Sequence, residues 1–242
     1  MVSKFKMMLS PFQKKISTGL LFLSILFISS CGPDKKGPDV EEKIEIEGSG
    51  SYSRVSYPLL EPDQINIDSL FVQVAYDLGN DRALIIGRSQ NEEDIEGLKM
   101  LLVERNTMKL LYRSKGAYES MTLHPEFYEG QGEISIISCG LGMLESWGQR
   151  LFIRKGDMIN EIGYMDVAKA SWEMEDSLLS FNAEDLGQFL SIEAAGKGID
   201  IQFNTDSLKY FGEYQNKIDP NIPANILSYQ YRSGVLKEVW AN

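Results

Sequence analysis

Histidine occurs once in 242 residues, at position 124. A lone histidine supplies no histidine-based zinc cluster. Long apolar stretches are also missing. The run Leu20–Ile28, broken only by Ser24, falls far short of the roughly 20 residues that cross a bilayer core. Beyond residue 31 no cluster of Lys and Arg occurs, which argues against nucleic acid as a partner. No amphipathic pattern of ten or more residues is found, so little helix is expected.

What is present begins with an address. Lys4, Lys6, Lys14 and Lys15 precede the apolar run, and no acid occurs before Asp34. A basic flank, a short apolar core and small residues at its exit describe a secretory signal. The exit itself, Ile28-Ser29-Ser30-Cys31, resembles the lipobox of bacterial lipoproteins. That resemblance covers residues 1–36. It implies diacylglyceryl transfer to the Cys31 sulfur, cleavage before Cys31, and acylation of the new amine. Two or more acyl chains hold a soluble domain on a bilayer, at about 0.8 kcal/mol per buried methylene. Gly32 stands where an Asp would resemble the enterobacterial signal for inner-membrane retention, so the resemblance implies the outer membrane. Residues 1–30 are therefore excluded from fold reasoning.

With Cys31 lipidated, Cys139 has no partner for an internal disulfide. The mature chain, 31–242, has the length of one domain and needs no staple to hold its core. Losing the four lysines before Cys31 takes the formal net charge from −11 to −15. Such acidity keeps a domain soluble, and it also suits cations or a basic partner. After the lipidated Cys31, the stretch "GPDKKGPDVEEKIEIEGSGSYS" is crowded with Gly, Pro, Ser and charge. It reads as a flexible acidic tether over 31–53, with a single β-rich domain over 54–242.

From Leu70 onward short apolar or alternating runs recur between turn residues. Examples are Lys99–Glu104, Glu133–Cys139, Arg150–Arg154, Leu227–Arg232 and Val235–Trp240. Ser233-Gly234, Lys155-Gly156-Asp157, Gly196-Lys197-Gly198 and Arg105-Asn106 supply hairpin turns. Short turns make neighbours antiparallel. The expectation is a mainly β antiparallel meander of ten to twelve strands, sandwich or barrel-like, with a propeller-like array as the alternative. One short helix is expected in "NTDSLKYFGEY", capped by Asn204 or Thr205.

The chemistry is sparse. Cys139 lacks the preceding glycine of a nucleophile elbow and reads as a buried strand residue. His124 reads as a turn residue before Pro125. Gly140, Gly142 and Gly148 lack dinucleotide spacing, because residue 145 is Glu. "AAGKGID" is a hairpin and not a phosphate loop, and neither "DLGNDR" nor "EPDQINID" has calcium-loop spacing. No cofactor, metal site or catalytic set is indicated. Carboxylates distant in sequence leave an envelope hydrolase open. The one constellation that suggests a ligand is Glu145, Trp147 and Arg150, an aromatic face with polar handles suited to a glycan or peptide. The plainer account puts Trp147 in the core at the start of a strand, with Gly148 as a bulge and the two charges exposed. Trp172 is expected on a loop, and Trp240 packs at the end of a hairpin arm.

The sequence thus describes a lipid-anchored β domain of the bacterial envelope. The expectation is a non-catalytic module that binds or scaffolds a protein or glycan. A hydrolase, or a structural part of an outer-membrane assembly, is the rival reading.

Overall fold

Alternation with a period of two organises the chain, and much of it is buried on both faces. The computed structural model describes residues 43–61, 65, 67, 69–91, 95–130, 132–175, 178–213 and 220–241. These residues belong to one compact unit. In chain order the strands are β1 (Gly48–Val55), β2 (Leu59–Leu60), β3 (Leu70–Gly79), β4 (Arg82–Ser89), β5 (Lys99–Glu104) and β6 (Lys109–Arg113). Next come β7 (Thr122–Glu129), β8 (Ile134–Gly142), β9 (Ser146–Lys155), β10 (Met158–Met165), β11 (Val167–Glu175) and β12 (Leu178–Glu184). The last six are β13 (Leu190–Gly196), β14 (Gly198–Phe203), β15 (Ser207–Tyr210), β16 (Asn221–Pro223), β17 (Leu227–Arg232) and β18 (Val235–Trp240). Single 3-10 turns occur at Gly187–Phe189 and Ala224–Ile226. No helix among the described residues is long and apolar enough to cross a membrane.

All pairings between these strands are antiparallel. Strands β2 to β6 form a five-stranded meander in sequence order. A nine-stranded sheet runs β10-β9-β8-β7-β1-β13-β14-β17-β18, and a four-stranded sheet runs β12-β11-β15-β16. The nine-stranded sheet is a nearly closed barrel, so the barrel-like expectation holds and the propeller-like one does not, while the described residues form eighteen strands where ten to twelve were expected. Its two end strands meet where Gly163 of β10 faces Leu236 of β18. A Cβ at Gly163 would lie 2.8 Å from the Leu236 Cβ, and its φ of +147° favours glycine. A register shift between Glu161 and Gly163 bends β10 there. Closure removes the exposed strand edges that an open sheet presents.

Three apolar clusters account for the alternation. Ile136, Leu151, Ile153, Ile192, Ile201 and Tyr229 fill the barrel. The residues between them in β8 and β9, Ile137, Cys139 and Phe152, pack outward against Leu84, Ile86, Met100 and Leu102 of the five-stranded sheet. Ala83, Ile85, Leu101 and Val103, on that sheet's far face, form the third cluster. Strands buried on both faces read as unbroken apolar runs, and "RALIIGRS" and "KMLLVE" do so.

Four expectations are corrected. Residues 43–53 are not tether: Ile44 and Ile46 are 5% and 3% exposed in the barrel cluster. The Ile44 N–H donates to Asn160 Oδ1 at 2.9 Å, and β1 joins β7 to β13. The acids of "KIEIE" hide an alternation in which the isoleucines face inward and Glu45 and Glu47 face water. Residues 31–42, Cys31 included, lie outside the described residues. The expected helix at 204–212 is instead strand β15, where Leu208 and Tyr210 alternate into the core. His124-Pro125 is not a turn but lies inside β7. Pro125 is tolerated because β1 pairs with β7 only from Phe127 onward, leaving that flank of β7 without a ladder. Trp172 lies within β11, paired with Phe181, and not on a loop.

The inward isoleucines give a direct check. Ile46→Ala is expected to cost about 2–5 kcal/mol in a urea melt, as a buried Ile does. A tether residue would change stability by less than about 0.5 kcal/mol.

Candidate functional site

The hairpin β17–β18 sets the geometry of one end of the barrel. Its register pairs Leu227 with Trp240, Tyr229 with Glu238 and Tyr231 with Leu236. Paired residues share a face, so Glu238 stands in a row whose other members are apolar or aromatic. Tyr210 of β15 donates its hydroxyl to the Glu238 carboxylate at 3.1 Å, and Trp240 donates Nε1 to Glu238 Oε2 at 3.2 Å. The Tyr210 and Trp240 rings meet edge to face, with centroids 5.3 Å apart. Two neutral donors thus fix the carboxylate and leave its charge in place.

A cavity of about 400 Å³ opens beside this carboxylate, within the range of ligand sites. Tyr164 is the penultimate residue of β10, and Asp166 is the first residue after that strand. Glu213 stands exposed at the rim, and Tyr229 and Leu236 complete the wall. Tyr164 reaches its place because Gly148 has no side chain: a Cβ there would fall 1.9 Å from the Tyr164 hydroxyl. That hydroxyl donates to the Trp147 carbonyl at 3.3 Å. Burial raises the pKa of Asp166, and the charges of Glu238 and Glu213 raise it further. None of the three carboxylates forms an ion pair among the described residues. Other acids of the domain do, including Glu126 with Arg54, Asp157 with Arg82 and Asp77 with Arg105.

A second polar cluster surrounds the lone histidine. Ser138 Oγ donates to Gln149 Oε1 at 2.9 Å, and Gln149 Nε2 donates to Asp185 Oδ1 at 2.8 Å. The Gly187 N–H donates to the same oxygen at 2.8 Å. His124 Nδ1 lies 3.1 Å from Asp185 Oδ2, and its ring is largely exposed. The bond from Asp185 raises the His124 pKa, against the opposing effect of burial. Burial pushes Asp185 up, but His124, the Gly187 N–H and Gln149 hold it below the ordinary carboxylate value. Cys139 is not a partner for His124. It pairs with Pro125 and points into the cluster between barrel and sheet, whereas His124 pairs with Gly140 on the opposite face. Complete burial pushes its thiol pKa up, which suits a packing residue.

The structure separates the three residues singled out in the sequence. Glu145 forms an exposed ion pair with Lys209 Nζ at 2.8 Å. Arg150 is 7% exposed, not a surface charge. Its Nε and Nη2 bind Glu161 at 2.9 and 2.6 Å, its Nη1 donates to the Lys115 carbonyl at 2.8 Å, and it lies over the Phe152 ring. Trp147 is half-buried, and it is the extra residue of a bulge, since Leu141 pairs with Gly148 and Gly142 with Ser146. Of the three, only Trp147 touches the cavity wall, through the carbonyl that holds Tyr164. The sequence signal for the cavity lay in "VLKEVW", where an acid occupies the inward row of an alternating arm.

Comparison with known proteins gives no match: no family model fits the chain, and no curated protein or solved structure is similar to it.

Three outcomes are expected. Arg150→Ala should cost about 2–3 kcal/mol, below the 3–5 kcal/mol of a fully buried pair because Glu161 stays partly in water. Glu145→Ala should stay within about 1 kcal/mol, as for an exposed pair, and chemical denaturation reads both. His124, followed by its single imidazole resonance, should titrate above its ordinary value of about 6.5, and Asp185→Asn should bring it down. The stability His124 confers is present below about pH 6.5 and is lost as pH rises through the raised folded-state value.

Proposed function

We propose that this protein is a lipid-anchored β domain of the bacterial envelope, held at the outer membrane through Cys31, that binds another molecule without transforming it. The anchor rests on the resemblance of Ile28–Cys31 to a lipobox and on the basic flank before it. The binding role rests on one observation. A cavity of about 400 Å³ at the barrel end collects three carboxylates that have no counter-cation among the described residues, beside aromatic rings. Such a surface is costly to keep and offers recognition chemistry.

A second reading has its own observation. Asp166, Glu213 and Glu238 lie far apart in sequence, and a carboxyl with a raised pKa beside a charged one is the arrangement a glycoside hydrolase uses. Turnover of an envelope glycan that stops in Glu238→Gln would favour it over binding alone.

The anchor has a separate test. Cys31→Ser should end palmitate incorporation, block processing and release the protein from the membrane fraction. A variant still processed and labelled like the wild type would sink the lipoprotein reading.

A further inference from the structure

The cavity at the barrel end presents hydrogen-bond acceptors and aromatic faces almost exclusively. The donors around it are used inside the wall. Tyr210 and Trp240 both donate to Glu238, and Tyr164 donates to the Trp147 carbonyl. The cavity is lined by the carboxylate residues Asp166, Glu213 and Glu238, by Tyr164, Tyr229 and Trp240, and by Leu236.

A second feature points the same way independently of the acids. Tyr229 is 2% exposed and lines the cavity, yet its hydroxyl has no hydrogen-bond partner among the described residues. The Asp166 main chain lies near it. A buried hydroxyl without a partner is disfavoured, and a ligand group that bonds to it removes the penalty. The group must donate to be received by the surrounding oxygens, and it must be cationic to offset the carboxylates. Rings next to carboxylates suit an organic cation over a metal ion, because a ring face attracts a cation without coordinating it. Nor do the described residues place three His, Cys, Asp or Glu side chains so as to hold a metal ion.

We infer that this cavity binds an organic ammonium group, its N–H donors shared between Glu238, Asp166 and the Tyr229 hydroxyl and its charge lying against the Tyr164 and Trp240 rings. The inference rests on the binding role proposed above and names the ligand chemistry. A free amine and a lysine side chain of a partner share that chemistry.

Calorimetry on the processed, lipidated protein in detergent tests it, with cadaverine, lysine and a short lysine peptide as amines. The neutral diol counterpart of cadaverine and a neutral disaccharide serve as controls. The wild type should bind at least one amine saturably, and the diol not at all. Tighter binding of the peptide than of the free amines identifies a partner's side chain as the source; the reverse order identifies a small amine. Glu238→Gln and Asp166→Asn should each weaken binding by about tenfold. Asp166→Asn should leave the melting temperature at neutral pH unchanged or raised, because it removes a charge that burial disfavours. Tyr229→Phe guards against misfolding. Deleting an unpartnered hydroxyl should not lower the melting temperature, while amine binding should still weaken. Amine binding unchanged in all three variants would overturn the inference. Saturable binding of the disaccharide without any amine would overturn the ammonium assignment and leave the binding role standing. Failure of every probe at concentrations up to about 10 mM would remove both.

Discussion

Strands β8 and β9 serve two cores at once, and the position of nearly every other element follows from that. Ile136, Leu151 and Ile153 face the barrel interior, while Ile137, Cys139 and Phe152 face the five-stranded sheet. Each fully buried apolar side chain of this kind is worth about 1.5–3 kcal/mol. A one-residue slip of either strand would exchange the two faces wholesale, so the register is strongly specified. That register carries Gln149 and Ser138 onto the inner face, where they hold Asp185, and it carries Arg150 outward to Glu161. The polar residues of β8 and β9 are thus placed by the apolar ones between them.

Barrel closure depends on the same ladder reaching round to β18. Strand β10 bends at its bulge so that Gly163 can touch Leu236, and the residues after the bend, Tyr164 and Asp166, come to face Glu238. The cavity is therefore a product of closure. It forms where the first and last strands of the sheet converge and their inward rows no longer interdigitate. The two polar clusters differ in how they balance charge. Around His124 each acid has a charged partner: Asp185 has the histidine and Glu126 has Arg54, bound at 2.7 and 3.0 Å. Around Glu238 the partners among the described residues are neutral donors, and the charge remains.

Much of the fold was legible because period-two patterns survive in single segments. Lys99–Glu104, Leu227–Arg232 and Val235–Trp240 are strands with the bounds read from sequence, and Ser233 and Gly234 adopt the positive φ that a two-residue turn needs. What escaped was alternation masked by charge or by turn-forming residues. "KIEIE" reads as acidic linker, "NTDSLKY" as a helix cap, and "TLHP" as a turn, although Pro125 sits within β7 on a flank that β1 leaves unpaired. The site escaped for a related reason. Glu145, Trp147 and Arg150 are close in sequence but are drawn to Lys209, a bulge and Glu161 in turn. The cavity's carboxylates come from three separate segments, which no local pattern joins.

The acidity of the chain takes on a different meaning once its distribution is known. A net charge of −11 spread over a surface needs no more than solubility as its account. Here many cations are already committed: Arg54, Arg82, Arg105, Arg150, Arg232, Lys169 and Lys209 each pair with an acid. Those pairs neutralise charge locally and leave the excess elsewhere. Part of that excess lies at the barrel end, where Asp166 and Glu238 are half-buried and water screens them less than it would on an open face. Burial raises the cost of each of these charges and strengthens its attraction for a cation by the same physics. A surface selected only for solubility would place its acids in full solvent, where they cost least. Glu238, held in a half-buried aromatic recess by Tyr210 and Trp240 donors that do not neutralise it, keeps its charge where that attraction is strongest.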